Sequence, residues 1–320
     1  MSEQREESQS ASSSQRMNYP VSFFLNVDMF RNIAEKYCPL AKGKRAADFP
    51  KGYTIGQLLA DNHVDQDALQ RMAAEIHEVM ASFEEIQRRE AQAFDPNVDL
   101  SDDHYLWDTP ENKEKCVRSI ERRYAGRRGE IVFYGPSNIT LWYSLEKDML
   151  PYRAQNHGMG GCTDADLMHY ADRLLYSFAP TAVFFQTGSN DLAGGITLEQ
   201  VLENKKKMYG TFLENMKDTQ LVVMSGLPLP GRTEFWDATR KTNEYLKKLC
   251  EGNARLHFMD ATDAMLTDHG DPSLQAGDGR YFNPEYFRID RIHLNVKGHQ
   301  VWTSLMKKEL ETLGIAPAKA

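Results

Sequence analysis

Apolar and polar positions follow one rhythm before about residue 110 and another after it. In the first stretch the rhythm is helical. Thr54 and Gln57 have the spacing of a capping box ahead of Leu58 and Leu59. From about Asp65 onward, Leu69, Met72, Ile76, Met80, Phe83 and Ile86 recur every three or four residues. That spacing predicts one long helix with a continuous apolar stripe. The opposite face is charged, so the stripe needs a surface to pack on. Residues 1–16 hold Ser, Gln and Glu and no large apolar side chain beyond Met1, so they are expected to be a disordered tail. Residues 17–94 are read as a helical N-terminal region, and 95–124 as a linker with a lead-in helix from about Glu111. The acidic, turn-rich stretch 95–112 lacks the alternating ligands and central Gly of a calcium loop.

From 125 to 320 the rhythm becomes strand, helix, strand. Strands are expected at 130–134, 153–156, 181–186, 221–225 and 255–260. Several are short, unbroken apolar runs, as in strands covered on both faces. Amphipathic helices lie between them. One starts at Asp164 and presents Leu167, Tyr170, Leu174, Leu175 and Phe178. A second starts at Thr197, with Gln200 completing a capping box. A third covers about 233–249, and the last runs over about 296–313 and stops at Gly314. This alternation predicts an α/β fold of three layers, α/β/α, around a five-stranded parallel sheet.

Composition narrows the function. The charge balance of 46 acidic against 38 basic residues gives a net of -8, which disfavours nucleic acid as a partner. No apolar run approaches the ~20 residues of a membrane span. Cys38, Cys116, Cys162 and Cys250 lie far apart, so neither a zinc site nor a redox dithiol is expected. The first residues show no apolar signal region. The expectation is a cytoplasmic protein without metal or cofactor.

In an open α/β sheet, ligands bind beyond the carboxyl ends of the strands. Four clusters fall there: Gly135-Pro136-Ser137-Asn138, then 156–163 with its paired glycines, then Gly188-Ser189-Asn190-Asp191, and finally Asp290-Arg291-Ile292-His293-Leu294-Asn295. Each alone is an ordinary turn or cap. Together, in this order on one rim, they supply a nucleophile, oxyanion donors, a base and an orienting carboxylate.

These blocks resemble those of the SGNH (GDSL-type) hydrolases, and most closely a lysophospholipase L1-like esterase branch. The matching stretches are GPSNITLW, NHGMGG, PTAVFFQTGSND and DRIHLNVKGH, which span about 129–313. The resemblance implies a flavodoxin-like fold and makes 125–320 the hydrolase domain. It assigns Ser137 as nucleophile, His293 as general base and Asp290 as the group orienting it. It assigns the Ser137 and Gly161 N–H groups and the Asn190 amide to the oxyanion hole. A neutral Ser needs an adjacent base. Triads are defined by geometry rather than chain order, and no G-x-S-x-G elbow surrounds Ser137.

Pro136 departs from the family's Gly-Asp-Ser. It removes its own N–H but leaves that of Ser137. Cys162, His157, His169 and His299 are read as packing or capping residues. Trp142, Arg232, Trp236 and the loop 281–287 are candidate pocket walls. The implied activity is hydrolysis of small or medium acyl esters, with carbohydrate O-acetyl groups favoured. The alternatives are a lysophospholipase or thioesterase, or an SGNH-fold binding protein that has lost turnover. The substrate is a small-molecule ester. The N-terminal helices are read as a lid, a brace or a partner-binding surface.

Overall fold

The computed structural model describes residue 17 and residues 21–25, 28–44, 48–50, 52–94 and 110–318. The expected tail and residues 95–109 of the expected linker lie outside them. In the N-terminal part, helices α1 (Asp28–Tyr37), α2 (Ile55–Asp61) and α3 (Gln66–Phe94) enclose their own apolar cluster. The capping box starts α2 as its sequence dictates. Gln57 N–H donates to Thr54 Oγ1 at 3.2 Å, and Thr54 N–H donates to Gln57 Oε1 at 2.8 Å. The α3 stripe finds its partner only in part. Leu69, Met72, Ile76 and Val79 join the cluster around Leu25, Ala34 and Leu58, while Ile86, further along, is exposed.

Helix α4 (Pro110–Arg123) leads into the sheet. The strands are β1 (Ile131–Gly135), β2 (Ala154–Gly158), β3 (Ala182–Phe185), β4 (Gln220–Met224) and β5 (Leu256–Met259). They pair in parallel in the order β2-β1-β3-β4-β5. This is the flavodoxin-like order, whose switch point lies between β1 and β3.

Strand alternation sorts the core into two layers. Val132, Tyr134, Val183, Phe185, Leu221 and Val223 face one side, with α4, α8 (Leu198–Asn215) and α9 (Trp236–Cys250). Ile131, Phe133, Phe184, Val222 and Met224 face the other, with Trp142 and α10 (Val296–Thr312). Because both faces are covered, the central strands β1, β3 and β4 carry apolar runs, whereas the edge strand β2 reads AQNHG.

Two expected helices differ in detail. The one from Asp164 is a short α6 (Asp164–His169) followed by Ala171–Leu174 and a 3-10 turn, Tyr176–Phe178. It breaks at Tyr170, whose ψ of 5° leaves helical geometry, and the His157 ring holds the Leu174 carbonyl at 2.7 Å. The helix expected from 233 begins at Trp236, after a 3-10 stretch, Pro230–Phe235. No helix among the described residues is long and apolar enough to cross a membrane.

Candidate active site

Strand β1 delivers the chain to Pro136, which is extended (φ -79°, ψ -157°), and Ser137 then opens a helical turn, α5 (Ser137–Thr140). The Pro136 carbonyl accepts from Ile139 and Thr140 N–H at 2.9 and 3.2 Å, so Pro136 closes the turn without needing its own N–H. As the first helical residue, Ser137 has an N–H with no acceptor inside its helix. Close approach of β2 makes the turn tight. A Cβ on Gly158 would stand 2.2 Å from the Thr140 nitrogen. Asn156 ties the same turn down, donating from Nδ2 to Ile139 O at 2.7 Å and Trp142 O at 3.2 Å.

Ser137 Oγ lies 2.7 Å from His293 Nε2, and His293 Nδ1 lies 2.6 Å from Asp290 Oδ2. The carboxylate can only accept, so it holds the proton on Nδ1 and leaves Nε2 to accept from the hydroxyl. The Asp290 side chain is 9% exposed and that of His293 is 20% exposed, so the acid is sealed and the base is reachable. Burial pushes the Asp290 carboxyl up. The charge and hydrogen bond of the His293 ring, with the N–H groups of His293 and Ile292, outweigh that and hold it below the usual range.

The loop carrying the base is shaped by Arg291, at a left-handed φ of 59°. Asp290 Oδ1 accepts from Ile292 and His293 N–H, both at 2.9 Å. Asn138 Oδ1 accepts from Leu294 N–H at 2.8 Å, and Arg288 Nε donates to Leu294 O at 3.0 Å. Asn138 is therefore a bracket between the nucleophile turn and the base loop. Its adjacency to Ser137 was the only sequence signal for it. Arg288 gave none, although its Leu294 partner lies six residues on in the same loop.

The remaining blocks meet the same turn. Met159 N–H donates to Gly135 O at 2.8 Å. Gly161 sits at φ 66°, a conformation that glycine adopts without steric cost. Asn190, in α7 (Ser189–Ala193), donates from Nδ2 to Cys162 O at 3.1 Å. Hydrogen bonds thus join Asp290, His293 and Ser137 directly, while Asn190 is bound to Cys162, the residue that follows Gly161.

Beneath it lies a charge cluster that sequence reasoning missed. Lys205 and Asp164 are fully buried, 2.8 Å apart from Nζ to Oδ1. Thr187 Oγ1 donates to the same Oδ1 at 2.6 Å, and Asp164 N–H donates to Asp191 Oδ1 at 3.2 Å. Burial, then the Asp164 charge, raise the Asp191 carboxyl to about 6. In the sequence Lys205 is one of three consecutive lysines, a run that by itself reads as a solvated surface, yet here it is fully buried.

The candidate pocket walls fare unevenly. Trp142 is buried, stacked on His299 with ring centroids 4.9 Å apart, and its Nε1 donates to Asp148 Oδ2. Trp236 is buried against Phe282 in a small cluster and donates to Ala276 O. Both are core residues, because their ring N–H groups find partners inside the protein. Arg232 touches the rim at Ser189 and Asn190, and the loop 281–287 meets the segment carrying the base, where Tyr286 O accepts from Asn295 N–H at 3.0 Å and Phe287 bridges to Leu294.

His157 and His299 are buried and hydrogen-bonded, and burial pushes both down to about 3, leaving the rings neutral. His169 stacks edge-on against Tyr170. Cys162 is buried, and burial raises its thiol well above the ordinary value, which removes the reactive thiolate. Among the described residues no three His, Cys, Asp or Glu side chains gather into a metal-holding group.

Comparison with known proteins follows the same residues. The GDSL-like Lipase/Acylhydrolase family matches 133–301, which includes all five site residues. Platelet-activating factor acetylhydrolase IB subunit alpha1 of Bos taurus is 27% identical over 175 residues, covering 53% of this chain and 70% of the relative. A solved structure from Streptococcus pneumonia, provisionally assigned as a platelet activating factor, superposes with a TM-score of 0.53 at 20% identity, covering 62% of this chain and 93% of that one. A provisionally assigned acylhydrolase from Bacteroides fragilis NCTC 9343 gives 0.50 at 18% identity, covering 61% and 95%. At such identities the two structures speak for the fold alone.

Proposed function

This chain belongs to the GDSL-like lipase/acylhydrolase family, and on that premise we propose that it is a serine ester hydrolase working through an acyl-enzyme. The observation that carries the reading is the unbroken chain from Asp290 through His293 to Ser137, with contacts of 2.6 and 2.7 Å. Ser137 Oγ attacks the ester carbonyl carbon while its proton passes to His293 Nε2. The carbonyl oxygen becomes an oxyanion, received by the N–H groups of Ser137 and Gly161 and by the Asn190 amide. The bond to the alcohol then breaks, and His293 returns the proton to that leaving oxygen. In the second half His293 takes a proton from water, the water oxygen attacks the acyl carbon, and Ser137 leaves with its proton restored. Asp290 holds the tautomer throughout.

The substrate reading is a small or medium acyl ester, with O-acetyl groups on carbohydrate or another alcohol first. The bovine relative is named for acetyl-ester hydrolysis, which supports a short acyl group. Lysophospholipid and thioester substrates, and placement in the lysophospholipase L1-like branch, belong to the same proposal at a finer level. The short Ser137–His293 contact speaks against the reading that Pro136 has retired the site. A cytoplasmic setting is part of the proposal too. The four cysteines are buried and none is joined in a disulfide, as suits a reducing compartment.

A fluorophosphonate probe is expected to label the parent protein at Ser137 and to leave Ser137→Ala unlabelled. Folded protein that takes no label would sink the esterase reading. An ester panel of acetylated sugars, short acyl esters and lysophospholipids then ranks the substrates.

A further inference from the structure

One side chain outside the four blocks reaches the group assigned to the oxyanion. Arg232 lies in the 3-10 stretch Pro230–Phe235, at a non-helical φ of -140° and ψ of 42°. The stretch is tied to the base loop, since Gly231 N–H donates to Arg291 O at 2.9 Å. From there Arg232 Nη1 reaches Ser189 Oγ at 2.6 Å, Ser189 O at 3.1 Å and Asn190 Oδ1 at 3.1 Å.

We propose that Arg232 is a positioning residue: its Nη1 group holds the Asn190 side-chain oxygen, and so turns the amide NH₂ toward the substrate's developing oxyanion. The inference rests on the ester-hydrolase reading. An Asn amide has two nearly isosteric orientations, with oxygen and nitrogen exchanged. Only one of them donates to an oxyanion. Two neighbours select it independently. Arg232 can only donate, so it demands the oxygen. The Cys162 carbonyl can only accept, and it takes one N–H of the NH₂ at 3.1 Å. The second N–H is then fixed by the plane of the amide.

A flexible Lys would offer a donor without the planar fork, whereas the guanidinium meets both Ser189 and Asn190 from one nitrogen. Burial lowers the Arg232 guanidinium only to about 10, so it remains a cation and an obligate donor at neutral pH. Gly231, by tying the same stretch to the base loop, couples the orientation of Asn190 to the segment that carries Asp290 and His293.

A double-mutant cycle on the full chain tests this, with kcat and KM for p-nitrophenyl acetate and a thermal melt for each variant. Loss of one oxyanion donor typically costs about 10²–10³ in rate, so Asn190→Ala is expected to lower kcat by about that much. Arg232→Met is expected to lower kcat by about 10- to 100-fold, with KM within about threefold, because a misturned amide fails only where charge develops. In the Asn190→Ala background Arg232→Met is expected to cost less than about threefold more, and Arg232→Lys in the parent to regain much of the loss.

Full additivity of the two substitutions, or an effect on KM alone, overturns the proposal and leaves Arg232 a brace. Should Arg232→Met not fold, Arg232→Gln, which can donate or accept, runs the same cycle. Parent-like kcat in Asn190→Ala overturns the oxyanion assignment beneath the proposal. A folded parent with no turnover overturns the esterase reading itself, so the two failures are distinguishable.

Discussion

Two of the protein's carboxylate–base pairs, Asp290–His293 and Asp164–Lys205, are built for opposite ends. Asp290 and His293 stand at the rim, where the acid is sealed and the base is 20% exposed. Asp164 and Lys205 lie beneath it, both at 0% exposure, with Thr187 and Asp191 as company. In the first pair one partner keeps an open face and a proton to exchange. In the second, neither partner can reach a substrate. Removing one member of a buried pair strands a charge, while removing one from an exposed site mostly changes chemistry. On the proposed mechanism the same residue classes serve turnover in one place and shape in the other, and exposure separates the roles.

The largest expected effect probes the rim pair. Asp290→Asn keeps the shape and the Oδ1 acceptor but lets the imidazole take the wrong tautomer. Esterase kcat is expected to fall by about 10⁴, or about 5 kcal/mol of barrier, with the melting temperature nearly unchanged. A variant within tenfold of the parent would remove Asp290 from the mechanism.

Lys205→Met probes the buried pair and should do the reverse. It leaves Asp164 uncompensated beside Asp191, and the expected cost is about 3–5 kcal/mol of stability, read from urea midpoints. A loss below about 1 kcal/mol would show that the cluster is structurally idle.

Smaller still is the pH dependence of stability. His157 and His299 are held neutral in the fold, with values near 3 against 6.5 for the free side chain. Below about 6.5 the unfolded chain binds protons that the folded chain refuses, so stability falls as pH drops toward 3. Each histidine contributes about 1.4 kcal/mol per pH unit across that window. Asp191, raised to about 6 from 3.8, works the other way between those values, since there the folded state holds the extra proton. The net expectation is a melting temperature that declines from pH 7 to 5. A flat profile, or a rise on acidification, would contradict the burial of the two rings.

The smallest effect concerns the N-terminal helices. Their apolar cluster draws on residues 17–79 alone. Val117 and Ile120 of α4, with Tyr124, are instead buried in the core beside the sheet, so we propose that the hydrolase domain expected over 125–320 is self-sufficient once α4 is included. A chain starting at 110 is expected to fold and to retain kcat within about threefold. Loss of folding would make the helices a brace, and a change confined to long or bulky substrates would make them a lid.

Much of the fold was written in local sequence. All five strands were located within about two residues, most of them by unbroken apolar runs, because burial on both faces leaves that mark; β2, which reads AQNHG at the sheet's edge, carries no such run. Thr54–Gln57 and Thr197–Gln200 announced two helix starts, since a cap needs only neighbours. The break at Tyr170 was not legible, because the amphipathic spacing continues across it, and no local signal shows that His157 on β2 holds the Leu174 carbonyl further along.

Trp142 and Trp236 looked like pocket walls because sequence shows a ring near a rim, without showing which side of the sheet the ring enters. The sequence by itself determined the sheet's strands, the order of the blocks and the residue types a serine hydrolase requires. Tertiary structure alone decided which polar groups meet. Lys205 lies 41 positions from Asp164, Arg232 lies 42 from Asn190, and Asn138 lies 156 from Leu294. No local pattern encodes such pairs, because a hydrogen bond depends on where two side chains end in space, and that follows only after the core has packed.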